Sequence, residues 1–425
     1  MLVQRFRHSL APLRQRNFSL LWVGQTISLF GDQCYEIAFI WLLTTLTHST
    51  LVISTLITVG YLPQLVFLLI GGAWTDFVNP HRIAFWSDLF RLSVALMITL
   101  LATLGYLPLP LLFVVVITYS LVGAFFAPAL SALFLTSVAA EEVSAAHALF
   151  QIGRESATLL GPALAGYLIA QWNVSVAFGF DAISYAFSVC FLALMRQNRA
   201  TIAPSGQEKT VPGKIAELTA GLRFLWKQPG MLAVVLLFAL TNAFNNVEAV
   251  LVPLLARFLL HMPAEQYGLM ASSFGGGSLS GAIIMSLWGN RMRQHALVIC
   301  GSMGVFGTMI IAMGLAQTPW QLHMAYFLFG FSYIVADVAS ATLWLHLIPA
   351  ELRGRVLSVL SVLAMGLNPA GLLLAGILGN ALGIREGIWI GGAAVTLLSG
   401  LAFLLPSVWS LDRHVQVALE SKTNF

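Results

Sequence analysis

The sequence predicts an all-α integral membrane protein, with twelve transmembrane helices in two pseudo-symmetric bundles of six. Of its 425 residues, 58% are hydrophobic and only 9% are charged. A soluble domain carries about 25% charged residues, so this chain cannot build an ordinary water-facing surface. The composition therefore excludes a soluble enzyme, a nucleic-acid-binding protein and a disordered protein.

The apolar segments of the chain are long enough to span a bilayer. A helix needs about 20 apolar residues to cross the hydrocarbon core. A segment in lipid must be helical, because the bilayer offers no partner to a free backbone amide. The predicted spans are 18–43, 51–74, 83–104, 111–136, 146–170, 175–195, 231–256, 266–288, 296–316, 322–347, 356–379 and 387–409.

The distribution of positive charge predicts the orientation of these spans. Only Arg257 and Arg385 lie between spans on the side opposite the N-terminus, and only Arg91 and Arg154 lie inside spans. All other Lys and Arg residues lie on the N-terminal side, which is therefore predicted to be cytoplasmic, as are both termini. The protein is expected in the inner (cytoplasmic) membrane.

One long polar segment divides the chain into domains. The predicted domains are an N-terminal six-helix bundle over 1–196, a cytoplasmic linker over 197–230 and a C-terminal six-helix bundle over 231–425. The linker is predicted to be either an amphipathic helix on the membrane surface or a plain connection. Weak similarity between the halves fits a transporter with parallel repeats, with chance similarity of Ala-, Gly- and Leu-rich helices as the alternative.

Polar residues form a stripe on the first span. Gln25, Ser28, Asp32 and Glu36 recur at helical spacing and share one face. Carboxylates at positions i and i+4 repel each other when both are ionised, which favours a proton on one of them. Asp32 and Glu36 are therefore predicted to couple protons to transport. The alternative is that they bind a neighbouring helix or lie at the outer rim.

Polar residues on other spans predict a substrate cavity. Thr241, Asn245 and Glu248 share a face of the seventh span, although such side chains also hold helices together. Arg154 on the fifth span is suited to an anionic substrate group or to a carboxylate of another span, and Asp337 on the tenth span is a further proton-coupling candidate. The substrate-cavity candidates are Gln25, Arg154, Glu155, Asn242, Asn245 and Glu248.

Several motifs resemble those of the major facilitator superfamily. Gly72-Ala-Trp-Thr-Asp76, with Arg82 after it, resembles the GxxxD…R loop of that superfamily. Gly161-Pro162-Ala-Leu-Ala-Gly166 resembles the fifth-span signature of its drug/proton antiporters. Asn17-Phe-Ser-Leu-Leu-Trp and Ala350-Glu-Leu-Arg353-Gly354-Arg355 resemble the branch that holds macrolide-efflux proteins and the enterobactin exporter. With the i,i+3 pair on the third span, the predicted conformational-switch residues are Gly72, Asp76, Arg82, Asp88, Arg91, Gly161, Pro162 and Gly166.

The resemblance implies the major facilitator fold and an exporter that works by alternating access. A proton would enter from outside, bind a carboxylate and be released inside as a small amphipathic molecule, such as a macrolide-like drug, leaves. The alternatives are a siderophore or lysolipid exporter of the same fold and a proton-independent facilitator. The expected partners are membrane lipid, a small-molecule substrate and protons. We expect a monomer without cofactor, metal, nucleic acid or enzymatic activity.

The loop between the second and third spans departs from the family pattern. Phe77 follows Asp76 where the family usually has a basic residue, and Arg82 is the only Arg or Lys that follows in the loop. The resemblance implies that this loop latches the cytoplasmic side. With fewer cations, the latch is predicted to close less firmly.

Overall fold

Helices occupy each of the twelve predicted spans, which confirms the all-α prediction. The computed structural model describes residues 10–70, 79–195, 219, 222–288, 294–349 and 352–412, and no strand occurs in these ranges. The long helices are α1 Arg16–Leu46, α2 Thr50–Ile70, α3 Pro80–Thr103, α4 Leu109–Thr136, α5 Val143–Gln171, α6 Val174–Leu194, α7 Pro229–Leu254, α8 Ala264–Trp288, α9 His295–Leu315, α10 Pro319–Leu347, α11 Arg353–Gly366, α12 Asn368–Ala381 and α13 Ile384–Leu404.

The eleventh span is divided into two helices. α11 ends at Gly366, and α12 begins at Asn368 with Pro369 in its first turn. Proline has no N–H to donate and its ring clashes with the preceding turn, so the helix breaks at Leu367. The stretch Arg355–Ala381 is nevertheless long and apolar enough to cross a membrane.

Nine helical segments of the described chain are long and apolar enough to cross a membrane. α1, which carries Asp32 and Glu36, and α5, which carries Arg154 and Glu155, are not among them. α2 contributes a shorter apolar helix over Thr50–Pro63. Charged groups on membrane helices need partners or water, so the surroundings of these four side chains bear on function.

Capping residues determine where several helices begin. The Asn79 side chain accepts a hydrogen bond from the backbone N–H of His81 at 2.9 Å, at the start of α3. Thr318 and Gln321 form a capping box at the start of α10. These side chains satisfy first-turn amides that have no partner within the helix.

The chain folds into two compact units. The first contains α1, the C-terminal part of α2, α3 to α6, and Pro263–Ser272 at the start of α8. The second contains Thr47–Thr58 at the start of α2, α7, the rest of α8, and α9 to α13. Each unit thus includes one segment from the other half of the sequence. The domain boundaries at 196 and 231 stay a prediction, because most of the linker lies outside the described residues.

Glycines allow close helix packing within each unit. A Cβ atom at Gly31 of α1 would lie 2.8 Å from Oδ1 of Asp181 on α6. A Cβ atom at Gly277 of α8 would overlap the backbone oxygen of Phe327 on α10. Helix association in lipid depends on such close packing, because apolar side chains gain little by leaving lipid for protein.

We expect Gly277→Ala to lower the thermal stability of the purified protein. The added methyl group would meet the Phe327 backbone, which cannot move without separating α8 from α10, and overpacking of this kind costs about 1–3 kcal/mol. Gly301→Ala is the matched control, since a Cβ atom at Gly301 meets nothing within 4 Å. Heating in detergent, followed by size-exclusion chromatography, measures the effect. Equal melting of the two variants would contradict the packing argument.

Candidate functional site

Three aspartates and one arginine interact inside the first unit. Asp32 lies on α1, Asp88 and Arg91 lie on α3, and Asp181 lies on α6. We call these four residues the acidic cluster. Asp88 and Asp181 are fully buried, Arg91 is buried and Asp32 is half-buried. Their charges act on one another, with one guanidinium set against three carboxylates.

Asp32 is held by a pair of tyrosines. Tyr185 on α6 donates a hydrogen bond from its hydroxyl to Oδ1 of Asp32 at 2.5 Å. The Tyr185 hydroxyl is also hydrogen-bonded to that of Tyr119 on α4. Tyr185 is fully buried, whereas Asp32 keeps part of its side chain accessible. An acid that is fixed in position and still accessible can take up and release a proton.

Asp88 is the best-bonded acid of the cluster. Ser188 donates a hydrogen bond to its Oδ2 at 2.6 Å, and Nε2 of Gln25 donates to the Ser188 hydroxyl at 3.0 Å. Nη1 of Arg91 lies 3.8 Å from Oδ1 of Asp88, so the pair expected from their spacing is present. Gln25, a predicted cavity residue, is buried and takes part in this network.

Arg91 is surrounded by aromatic rings. Its Cζ lies 4.4 Å from the ring centroid of Phe126, 5.4 Å from that of Tyr119 and 5.9 Å from that of Tyr185. Ring faces attract cations, more strongly when water is absent. The distance to Asp88 is too long for a hydrogen bond, and the buried Nε of Arg91 has no hydrogen-bond partner. The aromatic rings and the negative charge of Asp88 therefore provide much of the stabilisation of this guanidinium.

Asp181 is the member of the cluster that sequence analysis did not select as a site. Both of its carboxylate oxygens are buried and have no hydrogen-bond partner. Its side chain packs against Gly31, the residue next to Asp32. An ionised carboxylate is unstable in such a place, because nothing replaces the water it has lost. Its sequence signal was a lone acid within an apolar span.

The other polar candidates of the first unit are more accessible. Glu36 is exposed and accepts a long hydrogen bond of 3.4 Å from Nε2 of Gln33. Glu155 accepts one of 2.7 Å from Gln151. Arg154 is exposed, and no ion pair joins it to another described residue. None of the three takes part in the hydrogen bonds described for the acidic cluster.

The glycines of the fifth-span motif lie where α5 packs closely. A Cβ atom at Gly161 would lie 2.6 Å from Cβ of Gln33 on α1. One at Gly166 would lie 3.0 Å from Cα of Gly268, which in turn packs against the backbone oxygen of Pro162. These residues therefore permit close contacts of α5 with α1 and α8.

The predicted cytoplasmic latch lies mostly outside the described residues. Gly72, Asp76 and Phe77 fall in that part of the chain, so their role stays a prediction. Arg82 lies in the first turn of α3, where it is exposed. Its backbone N–H donates to the carbonyl of Asn79 at 3.0 Å.

A cavity of about 280 Å³ lies within the second unit, lined by residues of α7, α9, α10 and α11. Asp337 on α10 is the one charged side chain among its lining residues. Thr241 and Asn242 of α7 also line it. The aromatic lining residues are Phe238, Phe306, Tyr333 and Trp344. A mainly apolar cavity with a few polar groups is typical of a small-molecule site.

The polar residues predicted on the seventh span divide between this cavity and helix contacts. Asn242 lines the cavity, and its Nδ2 donates to the carbonyl of Ala364 on α11 at 3.2 Å. Glu248 is buried and accepts a hydrogen bond from the hydroxyl of Tyr326 on α10. Asn245 and Glu248 are absent from the cavity lining. Asp337 and Asn242 thus line the same cavity, and Glu248 does not.

A sequence model of the family described as transmembrane secretion effector matches residues 7–423. The chain belongs to this family. It is a multi-pass membrane transporter of the major facilitator superfamily and not an enzyme. Its acidic cluster and its cavity are therefore sites in a transporter.

Similar proteins to this transporter include macrolide efflux protein A of Streptococcus pyogenes. The two are 23% identical over 404 residues, which cover 93% of this chain and 97% of that protein. The multidrug efflux pump Tap of Mycolicibacterium fortuitum is 28% identical over 409 residues, covering 90% of this chain and 94% of Tap.

Solved structures show the same fold. A bacterial homologue of the iron transporter ferroportin, in an inward-facing state, aligns with a TM-score of 0.68 and 16% identity over 91% of this chain and 98% of that one. A POT family transporter aligns with a TM-score of 0.71 and 12% identity over 92% of this chain and 96% of that one. At these identities the likeness concerns the fold alone.

Proposed function

We propose that this transporter exports a small, amphipathic, cationic molecule across the cytoplasmic membrane by proton antiport and alternating access. The observation that carries the proposal is the cavity of the second unit, where one carboxylate stands among aromatic side chains. The carboxylate of Asp337 would pair with an ammonium group of the substrate. The aromatic rings would pack against the apolar body of the substrate and attract its positive charge. A cavity of about 280 Å³ suits a compact cation or the charged end of a larger one.

The relatives support a drug of this kind. Macrolide efflux protein A and the pump Tap are named for macrolide and multidrug efflux. Macrolides combine a large apolar ring with a basic amine, which fits the cavity chemistry. An anionic siderophore fits it less well, because Arg154 does not line the cavity. Proton-independent transport is a further outcome, which the protonophore experiments below distinguish.

The proton site of this proposal is the acidic cluster. Asp32 is partly accessible and hydrogen-bonded by Tyr185, so it can exchange a proton without losing its position. Antiport requires that proton and substrate shift the same conformational equilibrium in opposite directions. A proton on Asp32 removes one negative charge from the cluster. This change alters the stability of the conformation in which the cluster is buried. Both termini are proposed to be cytoplasmic, and the working unit a monomer in lipid.

Asp337→Asn is expected to weaken export of cations while sparing neutral compounds. Loss of a hydrogen bond to a charged group costs about 1.5–3 kcal/mol, which is about 10–150-fold in apparent affinity. Cells that lack their main pumps would be loaded with erythromycin and ethidium as cations and chloramphenicol as a neutral compound. Glu265→Gln, which removes an exposed acid at the start of α8, is the matched control.

Equal losses for cationic and neutral compounds, or no loss for either, would contradict the role of Asp337. A catecholate siderophore is included in the same panel. Export of the siderophore without export of any cation would replace the proposed substrate class by the siderophore alternative.

A further inference from the structure

The acidic cluster has an unbalanced charge. Its three carboxylates face one guanidinium, so the fully ionised cluster would carry two net negative charges. Asp88 and Asp181 are 0% exposed, so water does not screen them. Uncompensated charges inside a membrane protein are strongly unfavourable. The cluster becomes neutral only when two of its three acids hold protons.

The hydrogen bonds indicate which acids hold those protons. Asp88 lies beside Arg91 and accepts a hydrogen bond from Ser188, so it is the acid best stabilised as an anion. Asp32 accepts one hydrogen bond, from Tyr185. Asp181 accepts none, although both of its oxygens are buried. The two acids that need protons are therefore Asp32 and Asp181.

The groups around Asp181 offer it no second cation. Gly31, directly before Asp32, lies against its carboxylate. The thiol and phenol groups that act on it are neutral at physiological pH, which leaves Arg91 as the one positive charge among the described groups. The titratable and charged groups that act electrostatically on Asp181 or are acted on by it are Asp32, Cys34 and Tyr35 on α1, Arg91 on α3, Tyr119 on α4 and Tyr185 on α6.

We infer that the acidic cluster takes up and releases two protons in each transport cycle, with Asp181 as the second proton carrier. Asp181 is fully buried, so it exchanges its proton through the partly accessible Asp32. This inference rests on the proposed function. Two protons enter from outside and are released inside, while one monovalent cation leaves. One net positive charge therefore moves inward in each cycle, so the membrane potential drives export together with twice the pH gradient.

The steady-state ratio of ethidium concentrations across the membrane reports how many protons are coupled to the export of each ethidium. The full-length protein would be reconstituted in liposomes, with potassium and valinomycin holding the membrane potential at zero and a pH gradient of one unit across the membrane. Each coupled proton then supports a tenfold ratio of ethidium, so two protons support about 100-fold and one supports about 10-fold. Asparagine keeps the shape of a protonated aspartic acid but exchanges no proton.

We expect about 100-fold accumulation by the unchanged protein and by Glu265→Gln, and about 10-fold by Asp181→Asn. A ratio of about 10-fold for the unchanged protein would overturn the inference and leave the proposed function standing. A ratio of about 100-fold for Asp181→Asn would overturn the assignment to Asp181. No proton-dependent accumulation by the unchanged protein would refute the proposed function itself.

A folded but inactive Asp181→Asn variant would still give a decision. Calorimetry of ethidium binding in buffers of different ionisation enthalpy counts the protons released by the purified protein. One proton fewer than the unchanged protein releases would support the inference. An equal number would overturn it.

Discussion

Cells that express Asp32→Asn are expected to retain cationic compounds as strongly as cells without the transporter. Asparagine cannot exchange a proton, and the fully buried Asp181 receives its proton through Asp32 in the proposed cycle, so Asp32→Asn removes both coupled protons. The free energy that couples proton and substrate binding is then lost, which in typical proteins changes affinity about 5–150-fold. The fold should survive, because Tyr185 can donate to an amide oxygen as it does to the Asp32 carboxylate. Retention of ethidium with and without a protonophore measures the effect.

Two further variants make this result specific. Glu36→Gln removes the exposed acid one turn beyond Asp32, and we expect it to keep most of the uphill export. Glu265→Gln should keep all of it. Export by Asp32→Asn that resists the protonophore would show that Asp32 is structural and that transport is independent of protons.

Arg91→Met is expected to destabilise the protein strongly. It removes the guanidinium from beside Asp88 and leaves a buried charge uncompensated, a change that costs about 3–5 kcal/mol. Methionine keeps an apolar contact with Phe126, so most of the loss reflects charge. Thermal unfolding in detergent, monitored by size-exclusion chromatography, measures this effect.

Asp88→Asn should rescue part of that loss. With the carboxylate replaced by an amide, no anion at position 88 lacks its partner, while Ser188 can still donate to the amide oxygen. The double variant is therefore expected to melt above Arg91→Met alone, with an interaction energy of about 1 kcal/mol or more. If the double variant melts at the sum of the two single losses, the ion pair is not what holds Arg91 in place.

Local periodicity predicts the parts of the site that lie along one helix. The stripe on α1 and the pair on α3 follow from i,i+3 and i,i+4 spacing alone, and the Asp88–Arg91 pair is present at 3.8 Å. The position of the spans follows from apolar length. The break at Leu367 follows from Pro369, which the sequence analysis did not use to divide the eleventh span.

Tertiary packing determines the rest of the site and leaves little trace in the sequence. Tyr185 meets Asp32 across a sequence separation of 153 residues, and the packing of Asp181 against Gly31 depends on how α1 and α6 approach each other. On α7, helical spacing groups Thr241 with Asn245 and Glu248. Of these three only Thr241 lines the cavity, together with Asn242. That outcome depends on how α7 turns toward α9 and α10, which spacing within α7 cannot reveal.

The coupling of proton movement to export of a cation is the central claim, and everted membrane vesicles test it most directly. Respiration acidifies the vesicle interior and quenches a pH-sensitive dye. Added ethidium or erythromycin should then restore the dye fluorescence in vesicles that contain the transporter, because each cation that enters the vesicle drives protons out. Vesicles with Asp32→Asn should show no recovery. Uptake of the cation without any change in dye fluorescence, and unchanged by a protonophore, would contradict the account.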